Sequence, residues 1–169
     1  MIWDVNLTIA INKSWANRLF DYLMPYVTYG GSGKVIFVLA VFLLLFRGRR
    51  FAGILLLSGL TVSYYIVDFL KDLAARPRPF AAIAGIRQLA EASGYSFPSG
   101  HAVLAFMTAA VLSRFFGRRT AFFTAACMVG YSRIYLGVHY FSDVLAGAAL
   151  GFVIGCSITA LVREKYLTL

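Results

Sequence analysis

Apolar residues run along this chain in long blocks instead of alternating with polar ones. Residues 51–70, 100–116, 120–137 and 144–162 form four such blocks with few charges. Each approaches the roughly 20 apolar residues an α-helix needs to cross the hydrocarbon core of a bilayer. A fifth block, 32–46, is shorter but reads VIFVLAVFLLLF through its centre. Extended back through Gly30 and Gly31, it too reaches full length. The pattern predicts an all-α integral membrane protein with a bundle of about five transmembrane helices. No repeat, low-complexity tract or long linker divides the chain, so one membrane-embedded domain over 1–169 is expected.

The first thirty residues follow a different pattern. Asp4, Asn6, Asn12, Lys13, Asn17, Arg18 and Asp21 interrupt the apolar positions too often for burial in hydrocarbon. Trp3, Trp15, Tyr22, Tyr26 and Tyr29 are the residue types that settle at headgroup level. One or two interfacial helices are predicted across 1–30. The alternative, a sixth span around 18–29, would have to bury Arg18, Asp21 and Pro25. An early acid and no basic n-region argue against a cleavable signal peptide.

Composition closes off the soluble classes. Hydrophobic residues make up 60% and charged residues 14%, against about a quarter charged in typical soluble domains. Mean hydropathy is +0.77. A soluble chain this small has too much surface to hide that apolar content, which excludes a secreted module, a cytosolic enzyme and a disordered tail. Cys127 and Cys156 lie inside apolar blocks and are expected as small buried hydrophobes, neither disulfide-bonded nor metal-ligating.

The net charge of +9 is read by its placement. With five alternating spans, Arg47, Arg49, Arg50, Arg114, Arg118, Arg119, Arg163 and Lys165 fall on one side, joined there by Glu164 alone among the acids of those segments. The positive-inside rule assigns that side, and the C-terminal tail, to the cytoplasm of a cell inner membrane. The excess charge is thereby a topology signal. Nucleic-acid binding, which wants a continuous basic stripe on an exposed fold, is not expected.

The opposite, extracytoplasmic face collects the segment 71–97, the end of the fourth span and the start of the fifth. Both histidines of the chain, His101 and His139, are there. Asp143 follows His139 by four residues, close enough for its carboxylate to bond one imidazole nitrogen and leave the other free to attack. The same acid would also suit a helix N-terminus, with Ser142 as cap. Ser99 and Gly100 open a helix whose unpaired N–H groups suit an anion. Lys71, Arg78 and Arg133 add cations, and arginine's planar fork matches phosphate oxygens. Arg76 and Arg87 are assigned anchoring or solvated roles. On this evidence alone either histidine could attack, although Asp143 favours His139.

These residues stand in a familiar order. Lys71 through Pro79 reads K-x6-R-P, Pro98-Ser99-Gly100-His101 reads P-S-G-H, and Ser132 to Asp143 reads S-R-x5-H-x3-D. The chain resembles the type 2 phosphatidic acid phosphatase (PAP2) family in all three motifs, over roughly residues 51–155. The soluble vanadium haloperoxidases share the pattern but not the lipid-spanning segments. The resemblance implies that His139 is the nucleophile, forming a phosphohistidine, and that Asp143 orients it. It implies that His101 protonates the leaving oxygen and then activates water. Lys71, Arg78, Ser99, Gly100 and Arg133 would bind the phosphate oxygens. Hydrolysis without cofactor or metal is implied, and the sequence offers no carboxylate cluster for a divalent ion. The family pattern often includes a further N-terminal span that this chain has no residues for, so the N-terminus is expected on the extracytoplasmic side.

A phosphate site at headgroup depth admits a lipid phosphate sideways from the bilayer. Undecaprenyl diphosphate is the leading expectation. Phosphatidylglycerophosphate, phosphatidic acid and the 1-phosphate of lipid A are alternatives, as is phosphoryl transfer to a lipid acceptor. A small polytopic transporter is the alternative from another class, but the expected spans carry their polar groups at one end and not along a conduit. Residues 80–97 are expected as an extracytoplasmic loop or a short amphipathic helix.

Overall fold

The computed structural model describes residues 2–161. All regular structure among them is helical. Helix α1 (Ile2–Ile9) continues into a π-helical turn, Ala10–Ser14. Next come α2 (Arg18–Val27), a 3-10 turn at Thr28–Gly31 and α3 (Gly33–Leu44). A second 3-10 turn, Arg47–Arg49, leads into α4 (Arg50–Ala74), followed by the single-turn α5 (Pro79–Ala82). The chain ends in α6 (Gly100–Phe116), α7 (Arg119–Tyr135) and α8 (Phe141–Ala160).

Local chemistry sets the boundaries. The Asn17 side chain accepts from Phe20 N–H at 2.9 Å to start α2, and the Ser32 hydroxyl accepts from Val35 N–H at 3.3 Å to start α3. Helix α4 stops where Ala75 turns left-handed (φ 44°) and donates its N–H to Lys71. That stop aims residues 76–79 back across the end of the bundle.

Helix α6 is the central element, packed against α4, α7 and most extensively α8. Its Val103, Met107 and Val111 pack with Ala40, Leu56 and Ile154 in the main core cluster. In lipid there is little hydrophobic force between helices, so association relies on close van der Waals approach at small residues. Gly147 and Gly151 supply that on α8. A Cβ at Gly147 would lie 2.7 Å from the Ser99 carbonyl oxygen, and one at Gly151 would strike the Val103 carbonyl. The outer surface is apolar in turn: Val38, Phe42, Leu145, Phe152 and Val153 are exposed.

Helices form at all five expected positions, with differing reach. By length and apolar composition the stretch Arg47–Ala82, built on α4, and Phe141–Ala160 are each able to cross a membrane. The pair α2–α3, bent by 53° at its break, passes only when taken together. Helices α6 and α7 have 17 residues each and α3 has 12, short of a ~20-residue crossing. Helix α6 has the bounds of its expected block and ends where Gly117 turns left-handed (φ 68°) ahead of Arg118 and Arg119.

Three expectations need correction. Cys127 and Cys156 are free and exposed, not buried; in an apolar bundle an apolar block does not tell inside from outside. Ser142 does not cap α8. The cap is Tyr140, and Asp143 is the third helical residue, accepting from Tyr140 N–H at 2.9 Å. Helices form across the N-terminal segment, and while Asn6, Lys13, Asn17 and Arg18 are exposed, Asp4, Thr8 and Asn12 point into the protein instead, all at most 1% exposed. In segment 80–97 the helix extends only through α5; the remainder is irregular chain pinned by Leu89 N–H to the Leu136 carbonyl (3.1 Å) and Ser96 N–H to the Arg76 carbonyl (2.8 Å). The expected basic tail at 163–165 lies outside the described residues.

Candidate active site

The third motif owes its geometry to the end of α7. The Arg133 carbonyl accepts the N–H groups of Val138 and His139, both at 3.3 Å. That closure turns the chain back on itself, buries His139 (2% exposed) and delivers Tyr140 to the start of α8. One turn into α8, Asp143 is fully buried. Its Oδ2 lies 3.6 Å from His139 Nδ1. This exceeds a hydrogen bond, and Nδ1 has no other partner.

Arg78 holds the other side of the imidazole. Its Nη1 donates to the Val138 carbonyl at 2.9 Å and lies 3.2 Å from His139 Nε2. Its Nε and Nη2 donate to the Gly94 and Ser93 carbonyls at 3.0 and 2.7 Å. Four of its five N–H groups are thereby engaged. An Nε2 that accepts from Arg78 is unprotonated, so the proton of the neutral ring sits on Nδ1, facing Asp143. Burial lowers the His139 pKa to about 4, and the positive charges of Arg133 and Arg78 push in the same direction. The ring is neutral at physiological pH, with its Nε2 lone pair available once Arg78 releases it.

Helix α6 brings the second motif alongside. Ser99 N–H donates to the Asp143 carbonyl at 3.1 Å. The Ser99 hydroxyl is buried with no hydrogen-bond partner, and Arg133 Nε is likewise unmatched. Unpaired buried donors of this kind are costly unless a ligand completes them. The other end of the Arg133 guanidinium is held by Thr28, whose Oγ1 accepts from Nη1 at 2.7 Å. Lys71, Arg78, Arg133 and His139 all lie within Coulombic reach of His101.

Lys71, Gly100 and His101 also line a cavity of about 310 Å³ between α3, α4 and α6. Its other walls include Leu60, Val67 and Leu104. Lys71 and His101 stand at one end of this space, Asp68, Ser63 and Tyr64 also line it, and most of its wall is apolar. Among the described residues no cluster of His, Cys, Asp or Glu could hold a metal ion. All eight residues singled out from the three motifs sit at this one end of the bundle.

Other residues at the site carried no motif. Ser96 Oγ donates to Asp143 Oδ2. Arg76 is neither a solvated nor an anchoring residue: its Nη1 pairs with Asp143 Oδ1 at 2.5 Å and its Nη2 with Asp4 Oδ2 at 2.7 Å. Its guanidinium lies 3.8 Å from the Tyr140 ring centroid. Arg87 pairs with Asp21 at 2.6 Å, and its backbone N–H donates to Asn12 Oδ1 at 2.9 Å, fastening the 80–97 loop to the N-terminal helices. The one available signal was the spacing of Asp4, Thr8 and Asn12, which puts three polar side chains on one face of a helix.

The model of the PAP2 superfamily matches residues 52–167. The chain is 32% identical to an undecaprenyl-diphosphatase of Sulfolobus acidocaldarius, over 88% of this chain and 73% of that one. It is 29% identical to phosphatidylglycerophosphatase B of Bacillus subtilis, over 86% and 75% respectively. The crystal structure of Aquifex aeolicus LpxE superposes with a TM-score of 0.84 at 32% identity, covering 92% of this chain and 93% of that one. An all-helical bundle with an apolar exterior fits a multi-pass membrane protein, and the chain belongs to the PAP2 superfamily. It is a lipid phosphate phosphatase, a hydrolase.

Proposed function

We propose that the protein hydrolyses undecaprenyl diphosphate, or a lipid phosphate of similar headgroup, through a phosphohistidine on His139. The observation that carries this reading is the cavity shared by Lys71, Gly100 and His101 with Leu60, Val67 and Leu104. A charged head and an apolar chain attached to it would both be satisfied there. The undecaprenyl-diphosphatase among the relatives supports the prenyl diphosphate, and the phosphatidylglycerophosphatase supports a glycerolipid as the next candidate.

In the proposed reaction, phosphate oxygens take over the donors of Lys71, Arg78, Arg133, Ser99 and Gly100. Arg78 then releases His139 Nε2, whose lone pair forms a P–N bond as the P–O bond to the lipid breaks. His101 gives its proton to the departing oxygen. Asp143 stabilises the charge that develops on the Nδ1 side of the ring. His101, now neutral, takes a proton from water as that water attacks phosphorus, and the P–N bond breaks to release inorganic phosphate.

The proposed topology puts this site on the extracytoplasmic side of the inner membrane and the C-terminus in the cytoplasm. The basic turns support it: Arg49 of the α3–α4 turn donates to the Phe115 carbonyl at 3.3 Å and stacks over Phe116 at 4.6 Å, beside the α6–α7 turn. Two arginine-rich turns side by side fit a cytoplasmic face. One membrane-embedded domain remains the proposed organisation.

The test is phosphate release by the detergent-solubilised protein, with chelator present, from undecaprenyl diphosphate, phosphatidylglycerophosphate, phosphatidic acid and lipid A. The highest kcat/KM is expected on undecaprenyl diphosphate. A higher value on a glycerolipid would reassign the substrate, and no release from any of them would reject the reading.

A further inference from the structure

Asp4 is a carboxylate placed where lipid-facing helices rarely carry one, and the proposed chemistry gives it no part. It is 1% exposed, and its carboxylate bonds to Ser142 and Arg76, both of which lead toward Asp143. Its Oδ1 accepts from Ser142 N–H at 2.9 Å, and its Oδ2 accepts from Ser142 Oγ at 2.5 Å and from Arg76 Nη2 at 2.7 Å. Arg76 Nη1 in turn donates to Ser142 Oγ at 2.8 Å and to Asp143 Oδ1 at 2.5 Å. One guanidinium therefore bridges two carboxylates, 139 positions apart in the sequence.

The rest of α1 and the π-helical turn after it hold that contact. Thr8 Oγ1 donates to the Asp4 carbonyl at 2.7 Å, and Asn12 Nδ2 donates to the Tyr135 carbonyl at 2.8 Å. Three of the buried side chains of this segment, Asp4, Thr8 and Asn12, are polar, while Ile2, Trp3 and Asn6 are exposed. Such an orientation is costly unless the polar groups find partners inside the protein.

We infer that Asp4 is a positioning residue for the reaction, acting through Arg76 and Ser142 on the Asp143 carboxylate that faces His139. Two effects follow from the geometry. Arg76, held at Nη2 by Asp4, fixes Oδ1 of Asp143 and leaves Oδ2 turned toward Ser96, Tyr140 N–H and the imidazole. The trio Asp4–Arg76–Asp143 also keeps one net negative charge beside His139, where positive charge develops as the ring takes the phosphoryl group. Without Asp4 that net charge is zero.

This inference rests on the reading of His139 and Asp143 as the reacting pair, and the test separates the two. Steady-state kinetics on undecaprenyl diphosphate would compare the wild type, Asp4→Asn, Asp143→Asn, the double variant and Arg76→Lys. His139→Ala serves as a check on the underlying reading. Asp4→Asn is expected to lower kcat by about 10²-fold, the scale of a mispositioned catalytic group, with KM held within about twofold. In the Asp143→Asn background the same change should cost less than about twofold, because its target is already gone. Arg76→Lys keeps the charge but cannot bridge two carboxylates, and it should lower kcat as Asp4→Asn does. It gives the same answer if Asp4→Asn fails to fold. An unchanged kcat, a rise in KM alone, or equal losses in both Asp143 backgrounds would overturn the role of Asp4. If His139→Ala is inactive in the same experiment, the reading of the reacting pair survives that failure.

Discussion

The backbone N–H of Ser99 donates to the backbone carbonyl of Asp143 at 3.1 Å, joining the N-terminal end of α6 to the start of α8. The bond exists because the helices nearly touch one turn further on, where Gly147 faces the Ser99 carbonyl. Two motifs far apart in the sequence are thereby held in register by a residue that belongs to neither.

Gly147→Val should separate those motifs. A Cβ alone would stand 2.7 Å from a backbone oxygen that has no room to retreat, and overpacking at such contacts costs about 1–3 kcal/mol. Thermal unfolding in detergent should show a lower midpoint, and turnover at a temperature where the variant remains folded should fall as well. Gly147→Ala should lie between the two. Wild-type turnover in a folded valine variant would detach the helix contact from the chemistry.

The two histidines should differ in phosphoenzyme trapping. His139→Ala and His101→Ala are both expected to lose turnover, the second by about 10²–10⁴-fold as befits a general acid and base. Only His139→Ala should abolish incorporation of labelled phosphate into protein quenched in alkali, where the P–N bond of a phosphohistidine survives. Label retained in that variant would transfer the nucleophile's role elsewhere.

Thr28 offers a test of how Arg133 is aimed. The Thr28 hydroxyl accepts from Arg133 Nη1 at 2.7 Å from the turn between α2 and α3. Removing a hydrogen bond to a charged group costs about 1.5–3 kcal/mol, and here the loss should appear as weaker phosphate binding. Thr28→Val is expected to raise KM by about tenfold or more with a smaller effect on kcat, whereas Thr28→Ser should stay near wild type. Equal kinetics for the valine and serine variants would show that Arg133 needs no such support.

These cases mark how far the chain could be read before folding. His101, His139 and Asp143 were legible because short-range spacing encodes their geometry: the return from Arg133 to His139 is a local turn, and Asp143 lies one helical turn beyond the cap. The apolar blocks located the helices for the same reason. Thr28, Ser96 and Asp4 were not legible, since their partners lie 105, 47 and 138 positions away. Arg76 was misread for a related cause. Beside Arg78 it looked like one more basic residue at a helix end, and only the fold brings Asp4 to it. The polar stripe of α1 was visible in the sequence, but a polar stripe normally faces water. In a bundle whose outside is lipid that rule reverses, and the stripe faces inward.

The pH profile tests the state of His139 itself. The nucleophile must be neutral, and burial, reinforced by Arg133 and Arg78, lowers its pKa to about 4 from an ordinary value near 6.5. The sign is clear: a depressed pKa keeps the lone pair free through neutral pH and loses it only in strong acid. The proposed general acid, His101, gives up its proton within the substrate complex, where the bound phosphate would offset the surrounding cations Lys71, Arg78 and Arg133. A plot of kcat/KM reports the free enzyme. Corrected for the substrate's own ionisation, it should show its acid limb near pH 4 and not near 6.5. Removing the neighbouring positive charge with Arg78→Gln should move that limb to higher pH in whatever activity remains, because the imidazolium is then less opposed. A wild-type acid limb at the ordinary imidazole value would mean that the group titrating there is not the buried His139.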